Sequence, residues 1–119
     1  MATFKHILII STIVLLNGCV TVPEPLPESR VSVYKTFGSV QCQDGGVSLS
    51  ALQRQLEAAD IKVFSSACGN DGKIYPAVCG APDGRIGIFE IPQERLNAAS
   101  TQGFASLRNL PDANKTACR

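Results

Sequence analysis

Arg85-Ile86-Gly87-Ile88-Phe89-Glu90-Ile91 is the stretch on which the fold turns. It is short, rich in β-branched and aromatic residues, and bounded by Asp83-Gly84 on one side and Pro92 on the other, which are strand signals. Ile86 and Ile88 are expected inside, with Phe89 and Ile91 as further core candidates. Beyond it, Pro92 suits the first turn of a helix that Gly103 closes. Phe104 to Leu110 then returns as a final edge strand.

Working back toward the N-terminus, Ile74 to Val78 reads as a strand that Pro76 confines to an edge or a bulge. Ile61 to Ala67 reads as a further strand. Leu49, Leu52, Leu56 and Ala59 recur at helical spacing, so residues 49–59 form an amphipathic helix. Ser50-Ala51-Leu52-Gln53 fits a capping box at its start, and Gln43-Asp44-Gly45-Gly46 is a turn. Val31 to Phe37 alternates over part of its length and forms the first strand. The order β-α-β-β-α-(β) predicts an α+β fold, a small two-layer sandwich with two helices on one face of a mixed or antiparallel sheet. The nearest common topology is the ferredoxin-like split arrangement.

Two stretches repeat one design: Ala67-Cys68-Gly69-Asn70-Asp71-Gly72-Lys73-Ile74 and Val78-Cys79-Gly80-Ala81-Pro82-Asp83-Gly84-Arg85-Ile86. Each ends in Asp-Gly, a basic residue and Ile. Asp tolerates tight turns and Gly accepts positive φ, so both read first as turns. A functional reading sets Lys73 and Arg85 over backbone N–H groups to hold an anion, such as a glycan or a lipid phosphate. A meander would put the two loops at opposite ends of the sheet and remove that shared site.

The chain's start is an address. Lys5 and His6 precede the apolar run Ile7 to Leu16, about half the roughly 20 residues that a membrane span needs. A charged start, a short apolar stretch and small residues describe a secretory signal peptide. The run ends in Leu16-Asn17-Gly18-Cys19, which resembles the lipobox of bacterial lipoproteins; Asn17 departs from the commoner Ala or Ser. The resemblance implies cleavage after residue 18, acylation of Cys19 and, with Val20 rather than Asp behind it, an outer-membrane destination. It covers the first nineteen residues alone. Residues 19–30 then form a lipidated Cys and a tether in which Pro23, Pro25 and Pro27 favour an extended course of about 34 Å. Residues 31–119 form the domain.

The whole chain has 119 residues, a formal charge of +1, one His and five Cys. That charge leaves no basic surplus for nucleic acid. Removal of residues 1–18 takes away Lys5 and the single His6, and lipidation uses Cys19. Four cysteines remain: Cys42, Cys68, Cys79 and Cys118. In an oxidising compartment they predict a disulfide framework, with three pairings open. A crossover helix between the first two strands favours Cys42–Cys68 with Cys79–Cys118. Cys68–Cys79 with Cys42–Cys118 is the near alternative.

A histidine-free domain builds no Ser-His-Asp triad and no His-ligated metal site, and none of the cysteine gaps is C-x-x-C. Paired carboxylates are conceivable among Asp71, Asp83 and Glu90, but turns explain both Asp residues better. No catalysis, cofactor or metal is expected. The expected role is a non-catalytic protein-interaction module, for assembly or inhibition, anchored to the outer membrane by lipid on its periplasmic face. The alternative is cell-wall binding: the strand and helix order, with Ala51, Leu52, Leu56 and later Gly103-Phe104, distantly resembles small peptidoglycan-binding domains of the SPOR type. A small hydrolase comes last.

Overall fold

The computed structural model describes residues 17–119. The signal-peptide reading of Lys5, His6 and Ile7 to Leu16 therefore lies outside the described residues. Residues 17–29 run as exposed chain without regular structure, and Cys19 carries a free, exposed thiol.

Five strands form one antiparallel sheet: β1 (Arg30–Thr36), β2 (Ser65–Asn70), β3 (Arg85–Pro92), β4 (Ala105–Ser106) and β5 (Asn114–Thr116). Their spatial order is β4-β1-β3-β2-β5, so the deciding stretch of sequence is the central strand. β1 and β2 both run antiparallel to β3 and sandwich it. The crossover between them carries helix α1 (Leu49–Ala58), and helix α2 (Leu96–Thr101) returns the chain from β3 to β4.

Alternation along β3 divides two apolar layers. Phe89 and Ile91 face both helices and pack with Val33, Leu52, Leu56, Ala99 and Phe104. Phe89 meets Phe104 edge to face, with ring centroids 5.7 Å apart, a favoured aromatic geometry. Ile86 and Ile88 face the other way and are covered by Leu110 of the C-terminal segment. Gly87 keeps the helix layer close: a Cβ there would stand 3.0 Å from the Phe89 ring and 3.1 Å from Leu52. The α+β class and the placement of two helices on one sheet face agree with the sequence reading.

Several boundaries differ. α1 is capped by Ser48 rather than Ser50: Ser48 Oγ accepts from the Ala51 N–H at 3.1 Å. With Ala51 at the third helical position, no capping box forms. The segment 61–64 is not strand. Ile61 donates its N–H to the Leu56 carbonyl and is buried as the chain leaves α1, and β2 starts four residues later than its β-branched residues suggest. Ile74 to Val78 has no regular structure; Ile74 and Val78 are exposed and Tyr75 is partly buried. Pro92 ends β3 instead of opening a helix; a 3₁₀ turn (Gln93–Arg95) precedes α2. The expected strand 104–110 contracts to β4, followed by a second 3₁₀ turn (Leu107–Asn109). β5 has no counterpart in the sequence reading.

Both expected disulfide pairings are overturned. The bonds are Cys42–Cys79 and Cys68–Cys118. Cys68 sits inside β2 opposite Thr116 of β5, and β5 therefore delivers Cys118 to it. Cys42 lies beyond the end of β1, beside the long β2–β3 connection that carries Cys79.

Candidate functional site

The β2–β3 connection, residues 71–84, replaces the expected meander and leaves both Asp-Gly turns at the same end of the sheet. Asp71 Oδ1 accepts from the Lys73 N–H at 2.9 Å, and Asp83 Oδ1 accepts from the Arg85 N–H at 3.0 Å. Gly72 and Gly84 take φ of 75° and 73°, which Gly adopts without a Cβ penalty. The turns also join each other, since the Asp71 N–H donates to the Gly84 carbonyl at 2.8 Å. The repeated turn of the sequence is thus a repeated turn of the structure.

The loop between them is held from the side by the segment after β1. Gln41 donates its N–H to Ala81 O at 2.9 Å and its side-chain amide to Pro76 O at 2.8 Å. Gly80 returns an N–H to Gln41 O, and Cys42–Cys79 closes the contact covalently. From inside, Tyr75 donates its hydroxyl to Asp71 Oδ2. That bond, with lesser contributions from burial and the Asp71 and Tyr34 charges, pushes the Tyr75 phenol up to about 12. Burial works to raise the Asp83 carboxyl, but the Ser39 hydroxyl and the N–H and charge of Arg85 together hold it below the ordinary range.

Between these fixed points two apolar side chains point outward. Ile74 is 100% exposed and Val78 56%. An isolated exposed apolar residue is ordinary on a protein surface; here one sits at the tip of a loop whose neighbours are pinned.

Lys73 and Arg85 do not converge, although their loops do. Lys73 lines a hollow of about 410 Å³ with Tyr34, Asp71, Tyr75 and Ile86, on the sheet face away from the helices. Arg85 lines another, of about 280 Å³, with Phe37, Ser39 and Arg119, and its guanidinium stands 5.6 Å from the centre of the Phe37 ring. Strand alternation separates them: Arg85 shares its parity with Gly87 and Phe89, which face α1. The shared anion site is therefore not formed. The residues brought to one hollow are instead the two tyrosines, Tyr34 and Tyr75.

Among the described residues no three His, Cys, Asp or Glu side chains gather as a metal-ligand group. Glu90, the third carboxylate considered, pairs instead with Arg30 at 3.5 Å and accepts from Ser65 Oγ. No helix of the described residues is long and apolar enough to cross a membrane.

Fold and site together define a small α+β domain closed by two disulfides, with one stiff loop presenting apolar side chains. Comparison with known proteins adds no relative: no protein-family model matches the chain, and no curated protein or solved structure matches it either.

Proposed function

We propose that this chain is a lipid-anchored module of the bacterial outer membrane that docks a protein partner without catalysis, as an assembly accessory or inhibitor. In this reading residues 1–18 are the cleaved signal, Cys19 carries the lipid, residues 19–30 are the tether and residues 31–119 are the docking domain, a ferredoxin-like split sheet with β5 added at one edge.

The supporting observation is Ile74, wholly exposed between Asp71 and Tyr75 on a loop already ordered by hydrogen bonds and the Cys42–Cys79 bond. Burying an Ile side chain contributes about 1.5–3 kcal/mol. A loop held in place before binding loses little conformational entropy when it docks. A few well-packed anchor residues carry most of the binding energy of an interface.

A photo-crosslinking residue at position 74, introduced into intact cells, tests the docking reading. A single envelope-protein adduct is expected from position 74 and not from Glu57, which is exposed on α1. Equal adducts from both positions would overturn the assignment. Separately, Cys19→Ala should release the protein from the membrane fraction.

A further inference from the structure

The outer edge of β1 is covered only in part. β4 pairs with it at Val33 and Tyr34, so among the described residues no strand neighbours the Arg30 end on that side. Two bonds fix how the main chain is turned there. Phe37 donates its N–H to the Arg85 carbonyl at 3.2 Å, and Gln93 donates its N–H to the Ser29 carbonyl at 2.8 Å. Odd-numbered residues therefore turn their main-chain groups toward β3, and Arg30 and Ser32 turn theirs toward the open edge. Such an edge is a template for a further strand. Beside it lies a groove of about 560 Å³, bordered by Arg30, Ser32, Leu96, Leu107, Arg108 and Leu110. Two arginines and, among the described residues, no carboxylate border it.

The tether leading into β1 has the complementary chemistry. Pro23, Pro25 and Pro27 stand at every second position, so in an extended chain the residues without an N–H all fall on one side. Leu26 and Glu28 keep their N–H groups, and both point to the other side. Each residue before a Pro is itself biased to extended backbone. The tether is thus shaped as a strand that pairs along one edge and closes the other. Leu26 is 91% exposed, and Glu28 makes no ion pair among the described residues. It cannot fold back on its own β1, because Gln93 already holds Ser29 in line with that strand and no residue is left for a turn.

A second copy meets no such obstacle. We infer that two copies of this chain pair antiparallel through residues 26–32, with Ser29 on the two-fold axis. Glu28 of each copy then stands opposite Arg30 of the other, and Leu26 opposite Ser32. In this register every residue turned to the shared edge has an N–H, and the prolines point outward. Opposed residues share a face. Ser32 has the parity of Tyr34, which packs with Ile86 and Leu110 away from the helices, so the partner's Leu26 enters the groove beside Leu107 and Leu110. Arg30 already meets Glu90 of its own chain at 3.5 Å and stands 3.9 Å from the centre of the Phe64 ring; the partner's Glu28 adds a second carboxylate to a guanidinium with donors to spare. Pairing stops at Val33, where β4 begins. The surface is self-complementary, as a two-fold interface requires. Ile74 does not border the groove, so the pairing does not rest on the docking reading.

The axis supplies the test. Facing residues of a non-hydrogen-bonded antiparallel pair stand about 4.5 Å apart at Cα, within reach of a disulfide. Full-length Ser29→Cys, extracted from cells without reduction, should run as a dimer, and peptide mapping should join the two introduced thiols. The parent, with its own Cys19, sets the background. Val22→Cys, on the same tether but far from the axis, should give severalfold less dimer. Adding Glu28→Arg to Ser29→Cys sets like charges opposite each other, and adding Leu26→Pro removes an N–H from the paired side; each should lower the yield severalfold. Pro27→Ala should leave it unchanged. Circular dichroism and intact native disulfides confirm that each variant is folded.

A yield from Ser29→Cys no greater than the parent's overturns the inference, as does an equal yield from Val22→Cys. Indifference to both Glu28→Arg and Leu26→Pro overturns it too. A different protein captured by the thiol at position 29, in place of a second copy, would give the groove another occupant and sink the pairing. Ile74→Asp should leave the dimer intact; its loss there would move the contact to the docking loop and overturn this register.

Discussion

Tyr75 donates its hydroxyl to Asp71 Oδ2, and that bond ties the β2–β3 connection back to its first residue, just past the end of β2. Asp71 is buried at 8% exposure, so its carboxylate depends on protein donors rather than water. Tyr75→Phe removes one of them. A lost hydrogen bond to a charged, buried acceptor costs about 1–3 kcal/mol, and chemical denaturation should register a loss in that range. A change below a few tenths would mean that water replaces the phenol freely.

The same bond has a pH signature. The folded phenol holds its proton up to about pH 12, above the ordinary value of 10.0. Between these values the folded state binds more protons than the unfolded chain, so stability falls as pH rises through that window. The contribution is fully present below pH 10 and is lost as pH approaches 12. In a Tyr34→Phe background, absorbance at 295 nm reports Tyr75 alone, and its midpoint should stand near 12. A midpoint at the ordinary tyrosine value would remove the Asp71 bond from solution.

The two disulfides should behave differently. Peptide mapping without reduction is expected to recover Cys42–Cys79 and Cys68–Cys118, and any other pairing contradicts the fold. Replacing Cys68 and Cys118 together by Ala should cost about 2–5 kcal/mol and release β5 from the edge of β2. Replacing Cys42 and Cys79 should show chiefly as faster amide exchange over residues 74–82, because that bond fastens a loop and not a sheet.

Ser48→Ala should lower stability by about 1 kcal/mol, the usual effect of losing an N-cap acceptor. Ser50→Ala should lose much less, since Ser50 reaches only Ser48 Oγ. The reverse ranking would restore the cap to the position that the Ser-x-x-Gln pattern suggests.

Core and loop also part clearly. Phe89 is fully buried at the centre of the helix-side layer, and Phe89→Ala should cost about 3–5 kcal/mol. Ile74→Asp, at a position with no packing partner, should stay within about 0.5 kcal/mol of the parent while weakening the position-74 crosslink to the partner.

The elements legible in sequence are those whose signal is local. Arg85–Ile91 is apolar and punctuated at both ends, and the Leu52–Leu56 face repeats at helical spacing. Asp-Gly twice announces a turn. β2 is less legible because Ser65-Ser66-Ala67-Cys68-Gly69-Asn70 has few strand-forming residues; pairing with β3 along its whole length selects it. Its Gly69 leaves room for Ile88 and for the β5 backbone, which a Cβ would meet at 2.6 Å. Exposed Asn114-Lys115-Thr116 has no hydrophobic pattern at all. Two tyrosines without a tryptophan argue, in the sequence, against a sugar-stacking cleft; that Tyr34 and Tyr75, 41 positions apart, line one hollow is set by the fold.

Composition and spacing alone determined the α+β class, a strand at Arg85–Ile91, the first helix, the pair of Asp-Gly turns and the presence of four pairable cysteines in the domain. These depend on interactions among residues a few positions apart. Which cysteine meets which, which face Lys73 and Arg85 take, and that Tyr34 and Tyr75 share one hollow are decided only by the folded sheet. Contacts across it join residues far apart in the chain, and strand alternation turns a shift of one residue into a change of face.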